Sequence, residues 1–228
     1  MALRIGINGF GRIGRMVLRS IIENNRKDIE VVAINNRGNS EVSSFLLQHD
    51  SIHGKLKAKI SHSDKTITIS GKKISLIRET EISKINWKKY KVDVVLECTG
   101  KFNTKEKSAQ HIKSGAKKVL VSAPCKGAIN IVFGVNQKTL KKNDQVISAA
   151  SCTTNCLAPV AKVINDNFGI ETGFMTTIHS YTTDQRLLDN SHKDLRRARS
   201  APNTIIPTTT GTTKSLGDVI PELKGKVE

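Results

Sequence analysis

The chain has 228 residues, of which 37% are hydrophobic and only 4% aromatic, so aliphatic side chains must form most of the core. No stretch approaches the roughly 18 consecutive apolar residues that a membrane helix needs, and the N-terminus lacks a signal-peptide layout, so we expect a cytoplasmic protein without membrane contact. The formal net charge is +17, and a positive field favours phosphate-bearing substrates. The lysines form scattered pairs without a basic stripe, which argues against a nucleic-acid partner.

The first part of the chain alternates strand and helix patterns. The predicted elements are, in order, a strand at 3–8, a helix at 12–24, a strand at 30–35, a hairpin over 65–78, a strand at 92–96, a helix at 104–114 and a strand at 119–122. This alternation predicts an α/β fold of the Rossmann type, with a doubly wound parallel sheet covered by helices.

The pattern changes near residue 150. The elements predicted beyond it are a helix at 151–167, a strand at 173–178, a long polar loop at 183–203 and a helix at 211–220. The predicted strand has no neighbour in the sequence to bury its face. We therefore predict an NAD(P)-binding Rossmann domain over 1–150, followed at 151–228 by the first part of an incomplete α+β catalytic domain.

A glycine pattern joins the first predicted strand to the first helix. Gly9, Gly11 and Gly14 form a G-x-G-x-x-G motif, in which the glycines allow a tight turn, close approach of a pyrophosphate, and close helix–strand packing. The N-terminus of the following helix offers free N–H groups and a positive dipole end to the anion. The motif therefore predicts a dinucleotide cofactor, NAD or NADP.

The second predicted strand ends at Asn36-Arg37, where the motif normally has a carboxylate for the adenosine ribose. Asn36 removes the repulsion of a 2′-phosphate, and the Arg37 guanidinium could bind that phosphate through two hydrogen bonds. We hypothesise that NADP is accepted. In the alternative, Arg37 is an exposed loop residue and NAD binds through the other contacts.

Four cysteines are spaced without the pairing typical of zinc sites, so we expect no metal. Cys152 lies where a strand pattern gives way to a helix, and a helix N-terminus favours a thiolate, so we predict that it is a nucleophile. Cys156, one turn further on, is expected to be buried and inert, and Cys98 and Cys125 to be core residues. His179, at the end of a predicted strand, is the best-placed base among the histidines.

These motifs resemble those of the glyceraldehyde-3-phosphate dehydrogenase family along the whole chain. The similar runs are G-I-N-G-F-G-R-I-G-R at 6–15, D-S-I-H-G-K at 50–55, E-C-T-G at 97–100, V-S-A-P at 121–124, A-S-C-T-T-N-C-L-A-P at 150–159, H-S-Y-T at 179–182, H-K-D-L-R-R-A-R at 192–199 and P-T-T-T-G at 207–211. The resemblance implies an enzyme in which Cys152 attacks the aldehyde of glyceraldehyde 3-phosphate and His179 acts as the base. A thioester then forms, and inorganic phosphate releases it as 1,3-bisphosphoglycerate.

The resemblance also implies a set of binding residues and a homotetramer for the full-length protein. Matching substrate positions are Ser151, Thr153, Thr210 and Gly211 for one phosphate, and Thr182 and Arg197 for the other. Matching cofactor positions, besides the glycines, are Arg12, Ile13, Arg78 and Ser122, with Thr99 and Gly100 nearby.

Three departures from the family pattern matter. NAD-using relatives mostly carry Asp where Asn36 stands, and many carry a Leu-Pro-like pair where Asn190-Ser191 stands. Relatives in photosynthetic or gluconeogenic roles, which tolerate NADP, vary at both places. Family chains also continue for about one hundred residues more. An erythrose-4-phosphate dehydrogenase and an inactive cofactor-binding fragment remain alternatives.

Overall fold

The computed structural model describes residues 2–228, and the chain divides into two compact units, 1–152 and 153–228. The strands are β1 (Leu3–Asn8), β2 (Ile29–Asn35), β3 (His49–Asp50), β4 (Gly54–Lys55), β5 (Ile60–Ser63), β6 (Thr66–Ile69), β7 (Lys72–Ile77), β8 (Val94–Glu97), β9 (Lys118–Val121), β10 (Ile129–Asn130) and β11 (Val146–Ser148). The helices are α1 (Arg12–Glu23), α2 (Ser40–Gln48), α3 (Lys105–Ser108), α4 (Gln110–Lys113), α5 (Cys152–Phe168) and α6 (Thr212–Val219). None of these helices is both long enough and apolar enough to cross a bilayer.

The first unit contains one large sheet with the strand order β10-β11-β9-β8-β1-β2-β7-β6-β5. The pairs from β10 across to β7 are parallel, whereas β7, β6 and β5 form an antiparallel meander at one edge. The chain first winds outward from β1 through β2 and then returns to its other side at β8. The predicted doubly wound Rossmann-type fold is therefore confirmed, and the carboxyl ends of β1 and β8 lie at the switch point where such sheets bind ligands.

Aliphatic side chains cover both faces of the sheet, as expected for parallel strands with helices on each side. On one face, Ile5, Ile7 and Ile34 belong to the larger core cluster. On the other, Trp87 is completely buried among Val32, Ala33 and Val95. Gly6 makes room for the indole, because a Cβ at this position would lie 2.7 Å from a Trp87 ring carbon.

Most predicted elements of the first unit are observed within a residue or two of their expected ends. The predicted helix at 104–114 is interrupted at Ala109 and forms two short helices, α3 and α4. Thr104 caps the first of them by accepting a hydrogen bond from the Lys107 N–H at 3.3 Å. The predicted hairpin is observed as β6 and β7, and Ser70 and Gly71 in its turn have positive φ.

In the second unit the predicted strand at 173–178 is wrong. Only an isolated bridge forms between Gly173 and Val227, and Phe174 and Ile178 are exposed. The alternating pattern is present, but no neighbouring strand among the described residues extends the pairing, and a single strand cannot bury its face alone. The predicted burial of Cys156 is also wrong, since this thiol is exposed on α5 together with Val160 and Val163.

Candidate dinucleotide site and nucleophile-bearing helix

Backbone geometry requires glycine at two positions of the loop between β1 and α1. Gly9 has φ +92°, and a Cβ there would lie 2.8 Å from the Thr99 backbone nitrogen. At Gly14, a Cβ would lie only 2.3 Å from the Gly9 carbonyl oxygen, so this residue allows α1 to pack closely on the turn. The observed conformation is the one that the glycine spacing predicts.

Gly11 differs from the other two glycines because the space that a side chain would occupy at this position is empty. A Cβ at this position would meet nothing within 4 Å. Gly11 is also the N-cap of α1, where no side chain among the described residues accepts a hydrogen bond from the first turn. An open approach to uncapped N–H groups at the positive end of a helix fits a pyrophosphate, so these residues can hold a dinucleotide.

Arg12 and Ile13 form the exposed first turn of α1 beside this opening. Arg12 donates a hydrogen bond to the Asp50 carboxylate, which is itself almost completely buried. Asp50 also accepts hydrogen bonds from the backbone N–H groups of Ile52 and His53, at 3.0 and 2.9 Å. Asp50 therefore fixes the guanidinium next to the glycine loop, a role that sequence reasoning missed although the D-S-I-H-G-K motif contains it.

These contacts lower the pKa of Asp50 from 3.8 to about 2, chiefly through the His53 N–H, with Arg12 contributing as well. Because the pKa is depressed in the folded state, the stabilisation is present above about pH 4 and is lost as pH falls towards 2.

Asp50→Asn is expected to release Arg12 while keeping the turn, because the Asn carbonyl can still accept from Ile52 and His53. We expect a loss of about 2 kcal/mol in unfolding free energy at pH 7, which is the usual value for a hydrogen bond to a charged group. The difference between variant and parent should shrink below pH 3, as measured by urea unfolding. A pH-independent difference would contradict this role for Asp50.

The adenosine side of the predicted site lies beyond β2. Asn36 is half-buried, and its Nδ2 donates to Ser43 Oγ at 3.1 Å. Arg37 is exposed and makes no hydrogen bond or ion pair with residues 2–228. Arg78, also exposed, follows the neighbouring strand β7 and donates to the Asp64 carbonyl at 2.9 Å. The structure therefore brings Asn36 and Arg78 to adjacent strand ends and leaves the Arg37 guanidinium available.

Thr99, Gly100 and Ser122 follow β8 and β9 at the same edge of the sheet. Ser122 donates its backbone N–H to the Glu97 carbonyl at 3.0 Å, which joins the two strand ends. Gly100 has φ +70°, and the Lys101 N–H turns back to Thr99 Oγ1 at 3.2 Å. Burial raises the pKa of the neighbouring Cys98 to about 11, consistent with an unreactive, largely buried thiol.

Cys152 is the first residue of α5 and is exposed. The chain reaches it through a sharp turn at Ala150, which is buried and has φ +57°, an uncommon conformation for a residue with a Cβ. Ser148 holds this turn, since its Oγ accepts from the Ala150 N–H at 3.1 Å and donates to the Ala123 carbonyl at 3.0 Å. Such strain is typical of functional sites, and nothing in the residue type indicates it.

His179 belongs to the second unit and is exposed. Its Nδ1 lies 2.6 Å from the Ser180 carbonyl oxygen. Because a carbonyl can only accept, this nitrogen must carry the proton, which leaves Nε2 as the proton-accepting atom. The pairing of His179 with Cys152 stays a prediction.

The predicted phosphate ligands of the second unit lie on its loops and helix ends. Arg197 donates to the Asp184 carboxylate and also to Thr208 Oγ1, at 3.2 Å from both Nε and Nη2. Thr182, two residues before Asp184, donates its N–H to the Gln185 side chain at 2.9 Å. The Arg197 hydrogen bond lowers the pKa of Asp184. Asp184 and Thr208 were not predicted, and they hold the guanidinium in a fixed direction.

Thr210 and Gly211 lie at the start of α6, whose N-cap is Gly211. The Thr210 hydroxyl accepts from the Thr212 N–H at 3.3 Å and lies 2.8 Å from the Thr212 hydroxyl. Thr153 is half-buried in the first turn of α5, next to Cys152, and Ser151 precedes that turn. Both pairs of predicted residues thus occupy helix N-termini, which suit phosphate oxygens.

Comparison with known proteins assigns both parts of the chain. Residues 3–105 match the family described as glyceraldehyde 3-phosphate dehydrogenase, NAD binding domain, and residues 151–228 match its C-terminal domain. Similar curated proteins are the glyceraldehyde-3-phosphate dehydrogenases of Cereibacter sphaeroides (55% identical), Streptomyces coelicolor (54%) and Geobacillus stearothermophilus (52%). Each of these alignments covers 100% of this chain and 68% of the relative.

Proposed function

The chain belongs to the glyceraldehyde-3-phosphate dehydrogenase family, and we propose that Cys152 is its nucleophile. The position of Cys152 carries this proposal, because an exposed thiol on the first turn of a 17-residue helix experiences the positive end of the dipole. The reaction converts glyceraldehyde 3-phosphate, inorganic phosphate and NAD+ to 1,3-bisphosphoglycerate and NADH. The test is phosphate-dependent reduction of NAD+ by this aldehyde, and its absence in the enzyme would overturn the proposal.

In this proposal His179 Nε2 accepts the proton of the Cys152 thiol, and the resulting thiolate forms a bond to the aldehyde carbon. The backbone N–H of Cys152 and the protonated imidazole stabilise the oxyanion. NAD supplies a hydride acceptor when bound at the glycine loop. Loss of hydride from the thiohemiacetal leaves a thioester on Cys152, which phosphate attacks to release the acyl phosphate and the thiolate.

Two anion sites hold the substrate phosphate and the attacking phosphate. The first consists of Ser151, Thr153, Thr210 and Gly211, which supply hydroxyls and helix N-terminal N–H groups. The second consists of Thr182 and Arg197, and the contacts of Arg197 with Asp184 and Thr208 support it by pre-orienting the guanidinium. The net charge of +17 further favours such anionic substrates.

We also propose that the site accepts NADP as well as NAD. The support is that the Asn36 amide carries no charge to repel a 2′-phosphate and is already engaged by Ser43, while the Arg37 guanidinium is exposed. Use of NADP would suit a gluconeogenic direction of the reaction.

Arg37→Ala is expected to weaken NADP+ binding at least tenfold and to change NAD+ binding less than threefold, because only the 2′-phosphate needs the guanidinium. Calorimetric titration of both cofactors measures the two dissociation constants. Lys73→Ala, which removes an exposed cation of β7 that has no predicted contact with the cofactor, is the matched control. If the parent chain prefers NAD+ by more than about tenfold in kcat/KM, equivalent to about 1.4 kcal/mol, NADP use is excluded.

We also propose that the full-length protein is a cytoplasmic homotetramer. Val42 and Phe45 of α2, together with Ile52, are exposed apolar side chains that suit burial between subunits, in support of a homotetramer. None of the four cysteines forms a disulfide, which suits the reducing cytoplasm.

A further inference from the structure

Three buried polar side chains lie side by side at the carboxyl edge of the sheet, on neighbouring strands. Asn35 ends β2, Asn8 ends β1 and Glu97 ends β8, and each is at most 6% exposed. Asn35 Nδ2 donates to Asn8 Oδ1 at 2.7 Å, and Asn8 Nδ2 donates to Glu97 Oε2 at 2.6 Å. The result is a hydrogen-bonded row beneath the glycine loop that ends at a buried carboxyl group.

Glu97 accepts hydrogen bonds from four donors. Besides Asn8, these are the Thr99 N–H at 2.7 Å, the Thr99 hydroxyl, and His111 Nε2 at 2.9 Å. The tautomer of His111 follows from its other nitrogen, because Trp87 Nε1 donates to Nδ1 at 2.9 Å. The imidazole is therefore neutral and donates through Nε2, so all four groups point protons at one carboxylate.

This arrangement explains a buried ionised acid. Burial alone would raise the pKa of Glu97, but the hydrogen bonds from His111, Thr99 and Asn8 outweigh it and hold the pKa below its ordinary value. A carboxylate can accept at every lone pair, whereas a protonated acid or an amide cannot. The four donors therefore fit a carboxylate and no other side chain of this shape.

Thr99 connects the carboxylate to the glycine loop. Its backbone nitrogen would lie 2.8 Å from a Cβ on Gly9, so Thr99 packs directly against the turn. Both of its proton donors are directed to Glu97 Oε1, and its hydroxyl also accepts from the Lys101 N–H. The position of Thr99, and of Gly100 after it, thus depends on Glu97.

We propose that Glu97 is a positioning residue of the dinucleotide site, which acts by fixing Thr99 against the glycine loop. This inference rests on the proposed function, since it requires the cofactor to bind beside Gly9. Glu97 itself is only 1% exposed, so we expect it to act through Thr99 without direct contact with a bound cofactor. Its negative charge serves to collect the donors of three elements and thereby to keep the wall of the site rigid before the cofactor arrives.

Glu97→Gln removes the negative charge of the side chain while keeping its shape, and so tests whether the charge is needed. In either orientation the amide of the introduced glutamine directs a donor at His111 or at Thr99, both of which are donors themselves. We expect the 228-residue chain carrying this change to bind NAD+ at least tenfold more weakly in calorimetric titration. Trp87 is the only tryptophan, and its emission should shift even without NAD+, because its partner His111 loses an acceptor. Glu81→Gln, a surface change, is the matched control and should stay within twofold of the parent.

Thr99→Val removes the hydroxyl, which donates to Glu97 and accepts from the Lys101 N–H, while the backbone N–H of residue 99 still donates to Glu97. We expect it to weaken NAD+ binding at least threefold, and to add less than twofold in the Glu97→Gln background, because the two residues act as one unit. If Glu97→Gln does not fold, Thr99→Val alone decides, and unchanged NAD+ affinity would overturn the proposal.

Two results tell this inference apart from the proposed function. If the parent chain binds NAD+ and folded Glu97→Gln binds within threefold of it, the positioning role is overturned and the dinucleotide site stands. If the losses of NAD+ affinity in Glu97→Gln and Thr99→Val multiply in the double variant, Glu97 does not act through Thr99 and the proposal is again overturned. A folded parent chain without NAD+ affinity would overturn both.

Discussion

Gly14→Ala is expected to lower the unfolding free energy of the first unit by about 3 kcal/mol, whereas Gly11→Ala should change it by only about 0.5 kcal/mol. The two variants differ because the introduced methyl groups meet different surroundings. The new methyl group at position 14 would lie 2.3 Å from the Gly9 carbonyl oxygen, a backbone atom that cannot move without distorting β1. At position 11 the methyl group would point into open space.

The same pair of variants separates fold from function. Gly11→Ala should remain folded yet bind NAD+ at least tenfold more weakly, because the methyl group occupies the approach to the N-terminus of α1. Urea unfolding followed by Trp87 emission measures stability, and calorimetry measures NAD+ binding. Equal stability of the two variants would contradict the packing role of Gly14, and unchanged NAD+ affinity in Gly11→Ala would contradict the predicted path of the pyrophosphate.

The glycine loop and the helix that begins at Cys152 could be predicted because their signals are local. The spacing of Gly9, Gly11 and Gly14 encodes a turn directly, and the helix that begins at Cys152 follows a strand pattern in the sequence. The sheet could also be predicted, since alternating strands and helices allow few topologies.

Residues that act through long-range contacts could not be predicted from local patterns. Asp50 is 38 residues from Arg12 in sequence, and Glu97 collects its donors from β1, α4 and its own loop. The positive φ of Ala150 carries no signal in the residue type. The failed strand at 173–178 and the exposed Cys156 share one cause, because a correct local periodicity does not supply the neighbour that must cover it.

Cys152 is expected to react with iodoacetamide at least tenfold faster than Cys156 at pH 7. Both thiols are exposed on α5, so accessibility does not distinguish them, and Cys156 is a matched control one turn along the same helix. The dipole acts mainly within the first turn, where about 1 kcal/mol or more favours the thiolate of Cys152. Burial raises the pKa of Cys98 and of Cys125, so neither should compete for the reagent.

The same comparison extends to catalysis. Cys152→Ser should abolish phosphate-dependent NAD+ reduction, because a hydroxyl is a far weaker nucleophile and forms no thioester, while Cys156→Ser should stay within threefold of the parent enzyme. NAD+ binding should be unchanged in both, since neither thiol lies at the glycine loop.

His179→Asn should slow formation of the thioester by about 10²–10⁴, the usual effect of a positioned acid–base group. Stopped-flow measurement of the first turnover isolates that step. Turnover by Cys152→Ser, or an unchanged first turnover in His179→Asn, would show that the thiol chemistry uses other residues.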